Sequence, residues 1–79
     1  MIDKVFGQTL RRLREERGMS QEDLGHEADL HFTTISRLER GMTSPTLKTL
    51  HKLAVVLGVR ISELMVLMEQ EVERSSEAQ

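Results

Sequence analysis

Between Ile2 and Arg17 the apolar residues Ile2, Phe6, Leu10 and Leu13 recur at spacings of four, four and three, the single stripe of an amphipathic helix. Gly18 stops it, and Met19 just beyond is placed to close an apolar contact over the helix end. Ser20 followed by Asp23 forms a near-capping box, which predicts a second helix from about Gln21 with Leu24 and Ala28 on its inner face. The chain breaks at Asp29. A third helix is predicted from about His31 to Arg40, anchored by Ile35 and Leu38 and stopped by Gly41. Met42, Thr43, Ser44 and Pro45 form a loop, because Pro45 prevents the helix from continuing. Thr46 then caps a fourth helix whose face of Leu47, Leu50, Leu53, Ala54 and Leu57 is expected in the core, with Gly58 as its stop.

The last helix is predicted from about Ile61 to Arg74. Ile61, Leu64, Met65, Met68 and Val72 form its stripe, while Val66 and Leu67 fall off it on opposite flanks. This is more apolar surface than one helix on one core requires. The economical reading is a partner subunit related by a two-fold axis; the other is a small domain that wraps around more of the helix. The surface expected to pair comprises Leu64, Met65, Val66, Leu67, Met68 and Val72. Residues 75–79 are polar and are expected to form a disordered tail. The pattern as a whole predicts one all-α domain of five helices over residues 1–74.

At about 100° per residue, the third helix turns Ile35 and Leu38 one way and Thr33, Ser36, Arg37 and Arg40 the other, with Phe32 and Thr34 flanking the second set. Hydroxyls and arginines backed by two apolar anchors make a poor core helix and a plausible reading head. Arg11, Arg12, Glu15 and Glu16 on the first helix are most simply a solvated face. Arg14 differs because it lies beside Leu13 and four after Leu10, at the edge of the buried stripe, and needs a partner. His51 borders the core face of the fourth helix and reads as a satisfied or half-exposed histidine.

The 79 residues carry a net charge of −2 and no cysteine, so helical packing rather than a disulfide has to supply stability. The overall charge argues against a nucleic-acid partner; its distribution does not. Residues 30–62 hold Arg37, Arg40, Lys48, Lys52 and Arg60 against Glu39 alone, a local charge of +4. Residues 63–79 carry −4. Salt screens charges beyond about 8 to 10 Å, so one basic face can still attract phosphate. No apolar run approaches the ~20 residues of a membrane span, and the start of the chain lacks a signal-peptide core. A cytoplasmic protein without a membrane partner is expected. No metal or cofactor is expected either, because His26, His31 and His51 lack ligand spacing on one face and no carboxylate pair has a pocket-like setting; catalysis is therefore not expected.

The runs LRRLREERGMSQEDL, TTISRLERGMTSP and TLKTLHKLAVVLGV resemble the Xre/Cro/CI family of helix-turn-helix regulators, over roughly Leu10 to Leu64. The short chain with an apolar last helix and a Leu30-His31 start to the reading helix is similar to stand-alone dimeric members, including controller proteins of restriction-modification systems. The resemblance implies a five-helix lambda-repressor-like domain with the helix-turn-helix at helices two and three. It implies that Gln21 touches a phosphate and supports the reading helix, and that Phe32, Thr33, Thr34 and Arg37 face base edges and nearby backbone. His31 starts this surface, Ser36 and Arg40 lie on or beside it, and Met42, Thr43 and Ser44 meet the next phosphates. It also implies an internal ion pair between Arg14 and Glu39.

Four positions depart from the family pattern. Gly25 stands where alanine is usual, Asp29 where the turn commonly has glycine, His31 where serine or threonine caps, and Phe32 where the contact is commonly polar. The expected partner is double-stranded DNA, bound by a homodimer at a pseudo-palindrome whose half-site centres lie about 10 to 10.5 base pairs or a multiple apart. Arg37 is the expected reader, since a guanidinium bonds guanine O6 and N7 bidentately. Thr33 and Thr34 offer methyl or hydroxyl contacts; Phe32 meets a thymine methyl or packs on its own protein. The reading from another class is an antitoxin or adaptor whose active surface is the last helix turned to a second protein.

Overall fold

A computed structural model describes residues 1–77, which fold into five helices. These are α1 (Ile2–Glu16), α2 (Gln21–Ala28), α3 (Phe32–Glu39), α4 (Leu47–Leu57) and α5 (Ile61–Glu77). No strand occurs among the described residues, so the fold is all-α. The helix starts follow the caps: the hydroxyl of Ser20 accepts from the Asp23 N–H, and that of Thr46 accepts from the Thr49 N–H. Asp23 returns the bond to the Ser20 N–H and completes the capping box.

Four helices end alike. The N–H groups of Met19, Leu30, Met42 and Val59 bond the carbonyls of Arg14, Gly25, Arg37 and Ala54, which is the closure of a Schellman motif. Such a closure needs one left-handed residue. Glycine supplies it at positions 18, 41 and 58, and Asp29 supplies it after α2 with φ 56°. Among the described residues Asp29 is the one non-glycine with positive φ, and aspartate tolerates that region better than most side chains.

The core forms where α1 lies on α3 and α5, α2 on α3 and α4, and α4 on α5. Leu10, Leu24, Ile35, Leu53 and Leu64 are fully enclosed at its centre. Val5 joins from α1, and Thr9 is buried beside it with its hydroxyl donating to the Val5 carbonyl at 2.9 Å. Three residues of the expected stripes lie outside. Ile2 is 55%, Leu47 84% and Ile61 39% exposed; each is the first residue of its helix.

Two further expectations change. Helix α5 continues to Glu77 rather than ending near Arg74, since neither glycine nor proline interrupts the sequence there. Of the expected tail, residues 78 and 79 lie outside the described residues. Arg12, expected on a solvated face, is half-buried and pairs with Glu71 of α5 at 3.4 Å. Among the described residues no helix is long and apolar enough to cross a membrane.

Candidate nucleic-acid interface

Helix α3 reaches the surface by its sequence alternation. Ile35 and Leu38 are 0% and 1% exposed, and burying two such side chains contributes roughly 1.5 to 3 kcal/mol each. The opposite side carries exposed Thr33, Arg37 and Arg40, with Thr34 and Ser36 half-buried between them and the protein. Its first residue, Phe32, is 46% exposed. The Phe32 ring stacks on the His31 ring, with centroids 5.1 Å apart. Much of Phe32 therefore packs on its own chain while one side remains free.

His31 acts as the cap that a serine or threonine would ordinarily provide. Its Nδ1 accepts from the Thr33 N–H at 3.2 Å and lies 2.8 Å from the Thr33 hydroxyl. An accepting Nδ1 leaves the ring proton on Nε2, turned away from the helix start.

A buried polar group fixes α3 against α1. The Arg14 guanidinium donates to both Glu39 oxygens, from Nε at 2.6 Å and from Nη2 at 2.9 Å, and its Nη1 donates to the Met19 carbonyl at 2.7 Å. The two side chains are 10% and 3% exposed. Hydrogen bonding to Glu39 holds the Arg14 guanidinium above its ordinary pKa, against the opposing effect of burial. Gln21 completes the group: its amide donates to Glu39 Oε1 at 3.0 Å, leaving its second N–H for another acceptor. Glu39 thus gathers the start of α2, the last turn of α1 and the end of α3 around one carboxylate.

Gly25 has a role in this seam. A Cβ there would lie 2.6 Å from the Leu30 carbonyl oxygen, closer than packed atoms tolerate, so the missing side chain lets the turn fold back on α2. The loop after α3 is held differently from the expectation. Ser44, expected to offer its hydroxyl to a phosphate, donates it to the Asp3 carboxylate of α1. Thr43 beside it is half-buried.

The surface expected to pair two subunits is divided. Leu64 and Met68 are 0% and 8% exposed and belong to the subunit's own core; Met65, Leu67 and Val72 pack against that core from its edge. Val66 at 49% and Ile61 at 39% remain as exposed large apolar residues of α5. The leucine and methionine sit on the inner face because the stripe, not the surplus, sets which side of α5 meets the domain.

Arg17, which was given no role, donates from Nε to the Leu57 carbonyl at 2.6 Å and from Nη1 to the Leu13 carbonyl at 3.0 Å. It joins the C-terminal ends of α1 and α4. A basic residue in the last turn before Gly18 was the available signal for one of these bonds; the other depends on where α4 ends in space.

The Helix-turn-helix family model matches residues 10–64, well over half of the chain. The chain belongs to this family of Xre-type DNA-binding transcriptional regulators, which are not enzymes. Control protein C.BamHI of Bacillus amyloliquefaciens is 42% identical over 65 residues, covering 81% of this chain and 80% of that protein. Control protein C.MunI of a Mycoplasma species is 37% identical over 67 residues, covering 84% and 90%. The crystal structure of the restriction-modification controller protein C.AhdI from Aeromonas hydrophila matches with a TM-score of 0.76 at 37% identity, over 78% of this chain and 94% of that one.

Proposed function

We propose that this regulator acts in the cytoplasm as a homodimer that lays one α3 from each subunit into successive major grooves of a pseudo-palindromic operator. The observation that carries the reading is the outer side of α3. Thr33, Arg37 and Arg40 stand exposed there, while Glu39 ties the helix to α1 and α2 from beneath. Rigid backing matters because a bidentate contact depends on position as well as charge. In this reading Arg37 bonds guanine, Thr33 and Thr34 touch neighbouring bases, Arg40 and the free N–H of Gln21 hold phosphates, and the exposed side of Phe32 lies against a thymine methyl.

Two arginines are a small charge for a reading head, so affinity has to come from two copies. Exposed Val66 and Ile61 supply the apolar contact for pairing. Glu63, Glu69 and Glu73 on α5 are exposed as well, which disfavours a phosphate backbone along that helix. The relatives named as control proteins support a comparable regulatory role. An adaptor reading rests on the apolar groove between Ile2 and the Met65, Met68 and Val72 edge of α5; a chain that stays monomeric alone and co-purifies with a different protein would favour it.

The test is a pair of titrations against the selected operator and a random duplex. Arg37→Ala should remove roughly 1 to 3 kcal/mol of discrimination between them. Arg40→Ala should weaken both and reduce the salt slope by about one. An unchanged specificity ratio in Arg37→Ala would overturn the assignment of the reader.

A further inference from the structure

The contact between Ser44 and Asp3 joins residues 41 positions apart, and the reading head makes no use of it. It brings the first turn of α1 against the loop that follows α3. A second feature places the same two segments together: a Cβ on Gly41 would lie 3.0 Å from the Lys4 Cα, so the end of α3 is seated on the α1 backbone. Asp3 is half-buried and Ser44 is exposed. The Ser44 hydroxyl has one proton, and the carboxylate takes it.

We propose that Asp3 is a positioning residue for DNA binding: it converts Ser44 from a phosphate donor into an anchor that fixes the 42–44 loop for phosphate contact through its backbone. The inference rests on the DNA-binding reading above and changes which atoms of the loop meet the duplex. A hydroxyl that donates to a carboxylate is not free to donate to a phosphate. The backbone offers a substitute. Among the described residues the Met42 N–H closes α3 on the Arg37 carbonyl, while the N–H groups of Thr43 and Ser44 bond no protein acceptor. Two such N–H groups held in one conformation suit a phosphate oxygen. Holding the loop before binding removes an ordering cost that a free loop would meet on the DNA.

The carboxylate has an opposite effect too. One negative charge beside the duplex repels phosphate whatever the base sequence, so charge and anchoring have to be separated. Asp3→Asn removes the charge and keeps an oxygen that accepts from Ser44. Asp3→Ala removes both. Asp3 also lies in the first turn of α1, where a carboxylate favours the helix start; both variants lose that effect equally, so their difference reports the anchor.

The experiment measures operator and random-duplex affinity for the full chain, Asp3→Asn, Asp3→Ala, Ser44→Ala and the Asp3→Ala/Ser44→Ala double variant, with thermal unfolding run beside each. Asp3→Asn should bind both duplexes about three- to tenfold more tightly than Asp3→Ala, the range of one hydrogen bond, with the specificity ratio unchanged. Ser44→Ala should weaken binding in the unaltered chain and weaken it less when Asp3 is already alanine, where only the freed hydroxyl and not the anchor remains to be lost. Equal affinities of Asp3→Asn and Asp3→Ala would overturn the anchor, as would a Ser44→Ala loss of the same size in both backgrounds, the pattern of a direct phosphate donor. An unaltered chain that binds no duplex would overturn the DNA-binding reading and this inference with it. Binding by the unaltered chain with no difference among the variants overturns this inference alone.

Discussion

Helices α3 and α5 rest on the same core, yet they present opposite surfaces. α3 has eight residues, two enclosed anchors and an outer side of hydroxyls and arginines. α5 has seventeen residues, Leu64 and Met68 turned inward, and an outer side on which Val66 stands among carboxylates. α3 is held by specific polar bonds at both ends, through the His31 cap and through Glu39. At α5 the free side offers apolar area among carboxylates, and its exposed Arg74 is paired with Glu71. A phosphate backbone suits the first surface and another protein the second. In the proposed function, reading and doubling fall to separate helices.

The largest way to break this contrast is at Glu39. Glu39→Ala leaves the Arg14 guanidinium buried without its partner, and stability should fall by about 3 to 5 kcal/mol, read from urea or thermal unfolding. An unchanged melting temperature would mean that α3 does not depend on this pair. Next is the seam inside the helix-turn-helix. Gly25→Ala should destabilise by about 1 to 3 kcal/mol from crowding on the Leu30 carbonyl, in spite of a helix-propensity gain of about 1 kcal/mol. A rise in the urea midpoint would show that the turn relaxes freely.

On α5 the expected effect is smaller and lies in association. Val66→Glu should leave folding nearly unchanged and weaken dimerisation by about 1 to 2 kcal/mol, measured by sedimentation at several concentrations. A variant with unaltered self-association would move the dimer surface elsewhere. The smallest effect is at the start of α2. The Ser20 N–H and hydroxyl hold the Asp23 carboxyl below the usual aspartate range. A lowered folded value makes this cap fully stabilising above the unfolded aspartate value of about 4, with the contribution lost as pH falls through the folded value. Asp23→Asn should flatten that part of the acid-side stability curve, and an identical curve would show that the capping carboxylate is not linked to folding.

Local chemistry made most of the frame legible. Ser20, Thr46, the three glycine stops and Asp29 act through their nearest neighbours, so the limits of the first four helices and the turn followed from spacing alone. Periodicity also placed Ile35 and Leu38 inward. It erred at Ile2, Leu47 and Ile61, because a stripe gives the direction of a face without giving how far along the helix the neighbour reaches. Val5, Thr9 and Gly7 were missed on α1 for a related reason: α3 crosses there closely enough that a Cβ on Gly7 would lie 2.5 Å from the Glu39 carbonyl oxygen. The contacts of Arg17 with Leu57, Arg12 with Glu71 and Asp3 with Ser44 join distant segments, and no local pattern encodes them. Arg14 with Glu39 became expected through the family resemblance; the spacing of the residues established only that Arg14 needed a partner.

The central claim is that α3 reads while α5 supplies the second copy, and selection of bound duplexes from a random pool by the purified chain tests it most directly. The expected outcome is enrichment of a site with two-fold symmetry, half-site centres about 10 to 10.5 base pairs or a multiple apart, and two chains bound per site. Enrichment of a single unsymmetric half-site bound by one chain, or no enrichment at all, would contradict it.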